Sequence, residues 1–279
     1  MVRLLKNIFD FYLNASIHVA LAVYALSWIT LKEFGLLYDD SVLYFIFYAT
    51  ITGYNFIKYF GLAKFHHRSL ARWLKVIQIF SAICFVLMCF YAFQLSTKTL
   101  WYLSVFGIVT FLYAIPFLPK KIFLDDQKNL RSISGLKIYI ISLVWAGVSV
   151  LIPLINADYD ILKQEVIITL IQRFLLIMVL MLPFEIRDLN FDSLKLATLP
   201  QRIGIKNTKT IGLLLLVFFF ILEFLKPEFH VNEVVAVLLI FFLTALFLIF
   251  SKTNQNRYYS AFWVESIPVL WLVIVLVLG

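Results

Sequence analysis

Three carboxylates, Glu185, Asp188 and Asp192, interrupt an apolar chain within the segment FEIRDLNFDSLKLATLPQRIG, residues 184–204. At about 100° per residue they fall at about 0°, 300° and 340° around a helix, inside one narrow arc. Carboxylates so placed repel one another and raise each other's pKa unless positive charge sits among them. That charge is either a hard divalent cation or a set of basic side chains. Mg²⁺ takes a few carboxylates together with water and phosphate oxygens, so the face suits a Mg²⁺–diphosphate complex. The plainer reading is a solvated face paired with Arg187, Lys195 or Arg202, because structural ion pairs imitate functional clusters. Pro183 and Phe184 before the acids, and the turn LPQRIG after them, favour a short helix end followed by a structured loop.

The elements that must position these acids follow from composition. The 279 residues are 63% hydrophobic and only 14% charged, with a mean hydropathy of +0.95. Soluble domains carry nearer a quarter charged residues, and a soluble fold here would lack polar surface to cover itself. The chain therefore reads as an all-α polytopic membrane protein. Apolar runs of spanning length predict about nine helices, at roughly 12–31, 41–62, 73–95, 99–118, 134–155, 165–187, 209–225, 233–251 and 260–278. No Gly/Ser- or Pro-rich linker divides residues 1–279, which reads as one domain. Arg3 and Lys6 precede a long apolar stretch without a clear cleavage site, which predicts an uncleaved first helix. Cys84 and Cys89 lie in one apolar run without metal or redox spacing.

Basic residues set the orientation. One series of connections holds Lys64, Arg68, Arg72 and Lys75; then Lys120, Lys121, Lys128 and Arg131; then Lys195, Arg202, Lys206 and Lys209; then Lys252 and Arg257. The other series holds Lys32, Lys98, Lys163 and Lys226 among seven acids. Positive residues collect on the cytoplasmic side, which predicts N-terminus inside, C-terminus outside, and the long irregular segments 60–72, 118–133 and 188–208 at the cytoplasmic face. The net charge of +8 thus belongs to topology and lipid contact, and no nucleic-acid partner is implied. His66 and His67 point apart on a helix and read as part of a basic interfacial loop rather than a metal site. His18 and Asn14, a turn apart, should face the bundle. Arg173, deep in the sixth helix, must find an acid, a carbonyl or water, and is read as an interhelical structural residue.

The stretch RDLNFDSLKLATLPQRIG resembles the second acidic motif of the UbiA-type membrane prenyltransferases: D-x-x-x-D, a short loop, then Thr-Leu and a Gly opening the next helix. Asp188 and Asp192 match the aspartate pair, and Thr198, Leu199 and Gly204 the closing elements. YAIPFLPKK, Tyr113–Lys121, resembles that family's Tyr-x-x-Pro element. The resemblance covers nearly the whole chain, with the second motif as its specific part. It implies a helical bundle around a lipid-accessible chamber, in which a prenyl diphosphate is held through Mg²⁺ between two acidic motifs. Loss of diphosphate then leaves an allylic cation that a membrane-associated acceptor attacks.

The first motif departs from the family pattern. In YNFIKYFGLAKFHHRSLARW, Asn55 matches the leading asparagine, but the acid positions fall on Phe56, Tyr59 and Ala63. Lys58, Lys64, His66, His67, Arg68 and Arg72 make the region basic instead. Three accounts follow: cationic residues bind diphosphate beside one Mg²⁺; Lys58 locks the two halves together; or the protein binds a prenyl lipid or quinone without transforming it. On the first account Asp188 and Asp192 hold Mg²⁺ and, with Lys58, carry the chemistry. Asn55, Arg68, Glu185, Lys121, Arg202 and Tyr113 contact the substrate. The expected partners are a polyprenyl diphosphate, a lipophilic acceptor and membrane lipids, and the expected location is a bacterial inner membrane. A transporter would want mid-bilayer acids or broken helices, which the reading does not find.

Overall fold

In hydrocarbon an unpaired backbone N–H or C=O costs several kcal/mol, so a chain this apolar crosses as helices. The computed structural model describes residues 2–65, 72–114, 135–189, 198–228 and 230–279, and no strand occurs among them. Its elements are α1 Val2–Asn14, α2 Ile17–Glu33, α3 Asp40–Phe65, α4 Arg72–Ala92 and α5 Thr97–Ala114, followed by α6 Leu136–Asn156, α7 Gln164–Asp188, α8 Leu199–Leu225, α9 Val231–Phe250 and α10 Tyr259–Leu278. Six of these, α4 and α6 to α10, are long and apolar enough to cross a membrane, and the bent pair α1–α2 makes up to seven. Helices α3 and α5 also lie where the sequence predicts spans. They are more polar because α3 carries Thr50, Asn55 and Lys58, and α5 carries Lys98, Ser104 and Thr110.

The first predicted helix is two. The chain breaks at Ala15–Ser16, where Ser16 takes a left-handed conformation (φ 61°), and α1 leaves α2 at 55°. A non-glycine residue there is strained and persists only where its surroundings fix it. They do so here. Ser16 Oγ donates to Asn55 Oδ1 at 2.8 Å, Asn55 Nδ2 donates to the Ala15 carbonyl at 3.0 Å, and Lys58 Nζ donates to Ser16 Oγ at 2.8 Å. Helix α1, with Leu4, Leu5 and Ile8 exposed, lies against the start of α10 through Phe9 on Phe262 and Tyr258, and through Asp10 bonded to Arg257 and Tyr258. Asn14 and His18 consequently sit on opposite sides of the bend rather than one turn apart. His18 is buried, accepting from the Tyr12 hydroxyl (2.7 Å) and donating to the Phe262 carbonyl (2.9 Å).

Helices α2 and α7 run through the middle. Leu26 and Ile29 of α2 and Leu176, Val179 and Leu182 of α7 are fully or almost fully buried, packed with Phe219 of α8, Ile240 of α9 and Trp271 of α10. A second cluster joins Leu31 of α2 to Val42, Leu43 and Ile46 of α3 and Ile152 of α6. Two helices carry wide π turns: Gly147–Leu151 within α6 and Tyr259–Val264 at the start of α10. Such turns reset which residues face inward and recur at functional sites. Gly147 also lets α5 approach closely, since a Cβ there would meet the Phe106 ring at 2.2 Å.

Candidate functional site

A cavity of about 490 Å³ opens between α3, α5, α6, α7 and α10. It lies toward the C-terminal ends of α3, α5 and α7 and the N-terminal ends of α6 and α10, the end where the basic connections gather. Along α7 its wall runs from Ile177 to Asp188, about 16 Å at 1.5 Å per residue. The wall is divided by chemistry. Ile140, Ile141, Val144, Ile177, Leu180, Met181 and Pro268 line the deep part, while Lys58, Lys137, Arg187, Asp188 and Glu265 bring charge to the same space. Tyr54 and Trp145 tie α3 to α6 across the apolar part, with Trp145 Nε1 donating to the Tyr54 hydroxyl at 2.7 Å.

The charged end is ordered by pairs. Arg187 grips its neighbour Asp188 with two bonds, Nε to Oδ1 at 2.7 Å and Nη2 to Oδ2 at 3.1 Å. Its remaining Nη1 donates to Ser260 Oγ on α10 at 2.9 Å. Lys58 from α3 and Arg187 from α7 are the basic groups whose charge acts on Glu265. The described charged residues of the wall therefore number three cations, Lys58, Lys137 and Arg187, against two carboxylates, Asp188 and Glu265. In a low-dielectric pocket such an array acts on an anionic group far more strongly than in water.

The sequence candidates divide. Lys58, Asp188 and Tyr113 line the cavity together. Asn55 does not. It is buried, and its amide serves Ala15, Ser16 and Ser81, so it fastens the α1–α2 bend and joins it to α4. Glu185 also stands apart. It is 1% exposed, and its Oε2 accepts the Leu199 backbone N–H at 3.3 Å, placing a negative charge at the start of α8. The arc that should join Glu185 to Asp188 thus splits between the next helix and the cavity. Arg202 is exposed on the first turn of α8 and lies outside the cavity wall. Asp192, Arg68 and Lys121 lie outside the described residues. Residues 190–197 of the loop predicted after the acids lie outside the described residues; Thr198 caps α8, its N–H donating to Gln201 Oε1 at 2.9 Å, and Gly204 (φ 77°) breaks the helix just beyond.

Sequence reasoning missed Glu265, Lys137, Tyr54 and Trp145, and treated Arg187 only as a partner for acids. Glu265 carried a usable signal, since an acid within a spanning helix is a functional candidate by default. Lys137 carried one too, opening an apolar helix just after an irregular segment.

The fold has solved counterparts. The fold is that of the UbiA-type membrane prenyltransferases. A UbiA homologue from Archaeoglobus fulgidus, solved bound to GPP and Mg²⁺, matches with a TM-score of 0.61 at 14% identity, over 96% of this chain and 99% of that one. A second structure of an Archaeoglobus fulgidus UbiA homologue matches with a TM-score of 0.55 at 12% identity, over 96% and 98%. A digeranylgeranylglyceryl phosphate synthase structure matches with a TM-score of 0.54 at 17% identity, over 97% and 96%. No family model matches the chain, and no curated protein matches it in sequence.

Proposed function

We propose that the cavity is a prenyl diphosphate site and that the protein transfers the prenyl group to a lipophilic acceptor within the membrane. One observation carries this reading: Lys58 of the first half and Arg187 with Asp188 of the second line a single space, above an apolar pocket. The three cations would take the diphosphate oxygens, with Arg187 matching them as a fork and the lysines as point charges. The prenyl chain would lie against Ile177, Leu180, Met181 and Val144. Tyr54, Tyr113 and Trp145 supply aromatic surface that excludes water and attracts a developing allylic cation.

Mg²⁺ accompanies GPP in the Archaeoglobus fulgidus homologue. Among the described residues no group of three or more His, Cys, Asp or Glu is placed to hold a metal ion together. Asp188 and Glu265 do offer the hard oxygen donors such an ion takes beside phosphate oxygens and water. Asp188 would hold it, with Asp192 as the second candidate. When bound, the ion offsets the charge building on the leaving diphosphate. Lys58 comes from the helix that carries the altered first motif, so its ammonium would supply positive charge from that half directly.

The rival reading is a prenyl-lipid or quinone binder that releases no diphosphate. It is favoured by the two-bond Arg187–Asp188 pair, which occupies both Asp188 oxygens. Incubation with geranyl diphosphate and a membrane extract, assayed for inorganic diphosphate, separates them: Mg²⁺-stimulated release supports transfer, while binding without release supports the rival. The orientation that belongs to this reading puts the charged end of the cavity at the cytoplasmic face of a bacterial inner membrane.

A further inference from the structure

A second cavity, of about 650 Å³, opens at the other end of the bundle, among the ends of α2, α7 and α10 and the turn between α8 and α9. Its rim is polar and exposed, with Lys32, Lys163, Glu228 and His230. Its floor is apolar and buried, with Ala236, Val237 and Trp271 each 1% exposed. Between them lies an ionic cluster seldom tolerated so deep in a bundle. Lys226 bonds Glu223 at 2.9 Å, their side chains 8% and 3% exposed. Arg173, 1% exposed, lies 3.4 Å from Glu33 and stacks 4.3 Å over Trp271. Glu33, Lys226, Glu233 and Trp271 face the cavity.

Three carboxyl groups, Glu33, Glu223 and Glu233, lie near two cations, Arg173 and Lys226. Burial pulls Lys226 toward the neutral amine, yet Glu33, Glu223 and Glu233 outweigh it and lift its pKa above the ordinary lysine value. Lys226 is thus already charged and committed to Glu223. Glu233 remains the odd carboxylate: among the described residues no hydrogen bond or ion pair engages its side chain. Glu233 faces the cavity and thus offers a carboxyl acceptor to a donor that enters there.

We propose that this cavity binds a primary ammonium group carried on an amphiphile, the headgroup chemistry of an aminophospholipid. The ammonium sits between Glu233 and Glu33, donating to both carboxyl groups. The attached phosphate meets Lys32 at the rim, whose ammonium has no protein partner among the described residues. The hydrocarbon follows the wall of Val237, Val275 and Leu278 toward the bilayer. A quaternary headgroup lacks the N–H donors the carboxylates require, and an anionic glycerol headgroup meets repulsion.

The test uses the full chain in detergent micelles, titrated with short-chain phosphatidylethanolamine, phosphatidylcholine and phosphatidylglycerol, and with free ethanolamine, by native mass spectrometry. The expected result is a preference of about tenfold or more for phosphatidylethanolamine over the other two lipids, lost in Glu233→Gln. Competition by free ethanolamine at equal potency, with the same dependence on Glu233, retains the ammonium seat and makes the ligand a soluble amine. Equal binding of the three lipids overturns the proposal, as does a preference that survives Glu233→Gln. Should that variant fail to fold, headgroup preference in the unaltered protein decides alone. None of this depends on prenyl transfer.

Discussion

Lys58 and Asn55 lie one turn apart on α3 and do different work. Lys58 reaches the cavity, while Asn55 spends its amide on Ala15, Ser16 and Ser81. The distinction is measurable. Asn55→Ala leaves buried groups around the Ser16 bend unsatisfied, each costing about 1–3 kcal/mol. It should lower the thermal midpoint in detergent, with geranyl diphosphate affinity changed only as far as folding is lost. A variant of parental stability with abolished binding would instead return Asn55 to the phosphate. Lys58→Ala is expected to weaken binding beyond what its lost bond to Ser16 Oγ costs in stability. The sequence could place both residues near the site, since spacing fixes position along a helix. It could not show that a break at Ser16 would claim the amide.

At the scale of elements, the charged residues inside the bundle act as fasteners between helices. Arg173 of α7 joins Glu33 of α2 and the Trp271 ring of α10, the interhelical role its depth implied. Arg173→Leu should destabilise by about 3–5 kcal/mol, because Glu33 keeps its charge and loses its partner. Unchanged melting and abundance would contradict this. Gly147→Ala tests a second contact, the approach of α5 to α6. The added methyl must displace the Phe106 ring, and overpacking of this kind costs about 1–3 kcal/mol, read as a lower melting midpoint. The spans were legible because twenty apolar residues in a row admit little else. The bend at Ser16 and the π turns were not, since each depends on tertiary partners rather than local preference. Glu265 belongs to the same lesson: the turn of α10 that precedes it, not its sequence neighbours, carries it to the cavity.

Among the described residues, one cavity lies at each end of the bundle, each with charge at the mouth and apolar side chains beneath. The cavity between α3, α6, α7 and α10 joins the halves of the chain through Lys58, Arg187, Asp188 and Glu265, in a fold shared with a UbiA homologue solved bound to GPP and Mg²⁺. The bundle's architecture could be read from the apolar runs along the chain, and one acid of its site from residues 184–204, because helical spacing and hydropathy act locally. The opposite wall, supplied by α6 and α10, could not, because nothing local brings Lys137 and Glu265 to Asp188. The most direct measurement is geranyl diphosphate affinity, with and without Mg²⁺, in the parent, Lys58→Ala and Asp188→Asn proteins, each checked for intact folding. The account predicts that both substitutions weaken binding at least about tenfold, and that Asp188→Asn also removes the response to Mg²⁺. Equal affinity in all three proteins would contradict it.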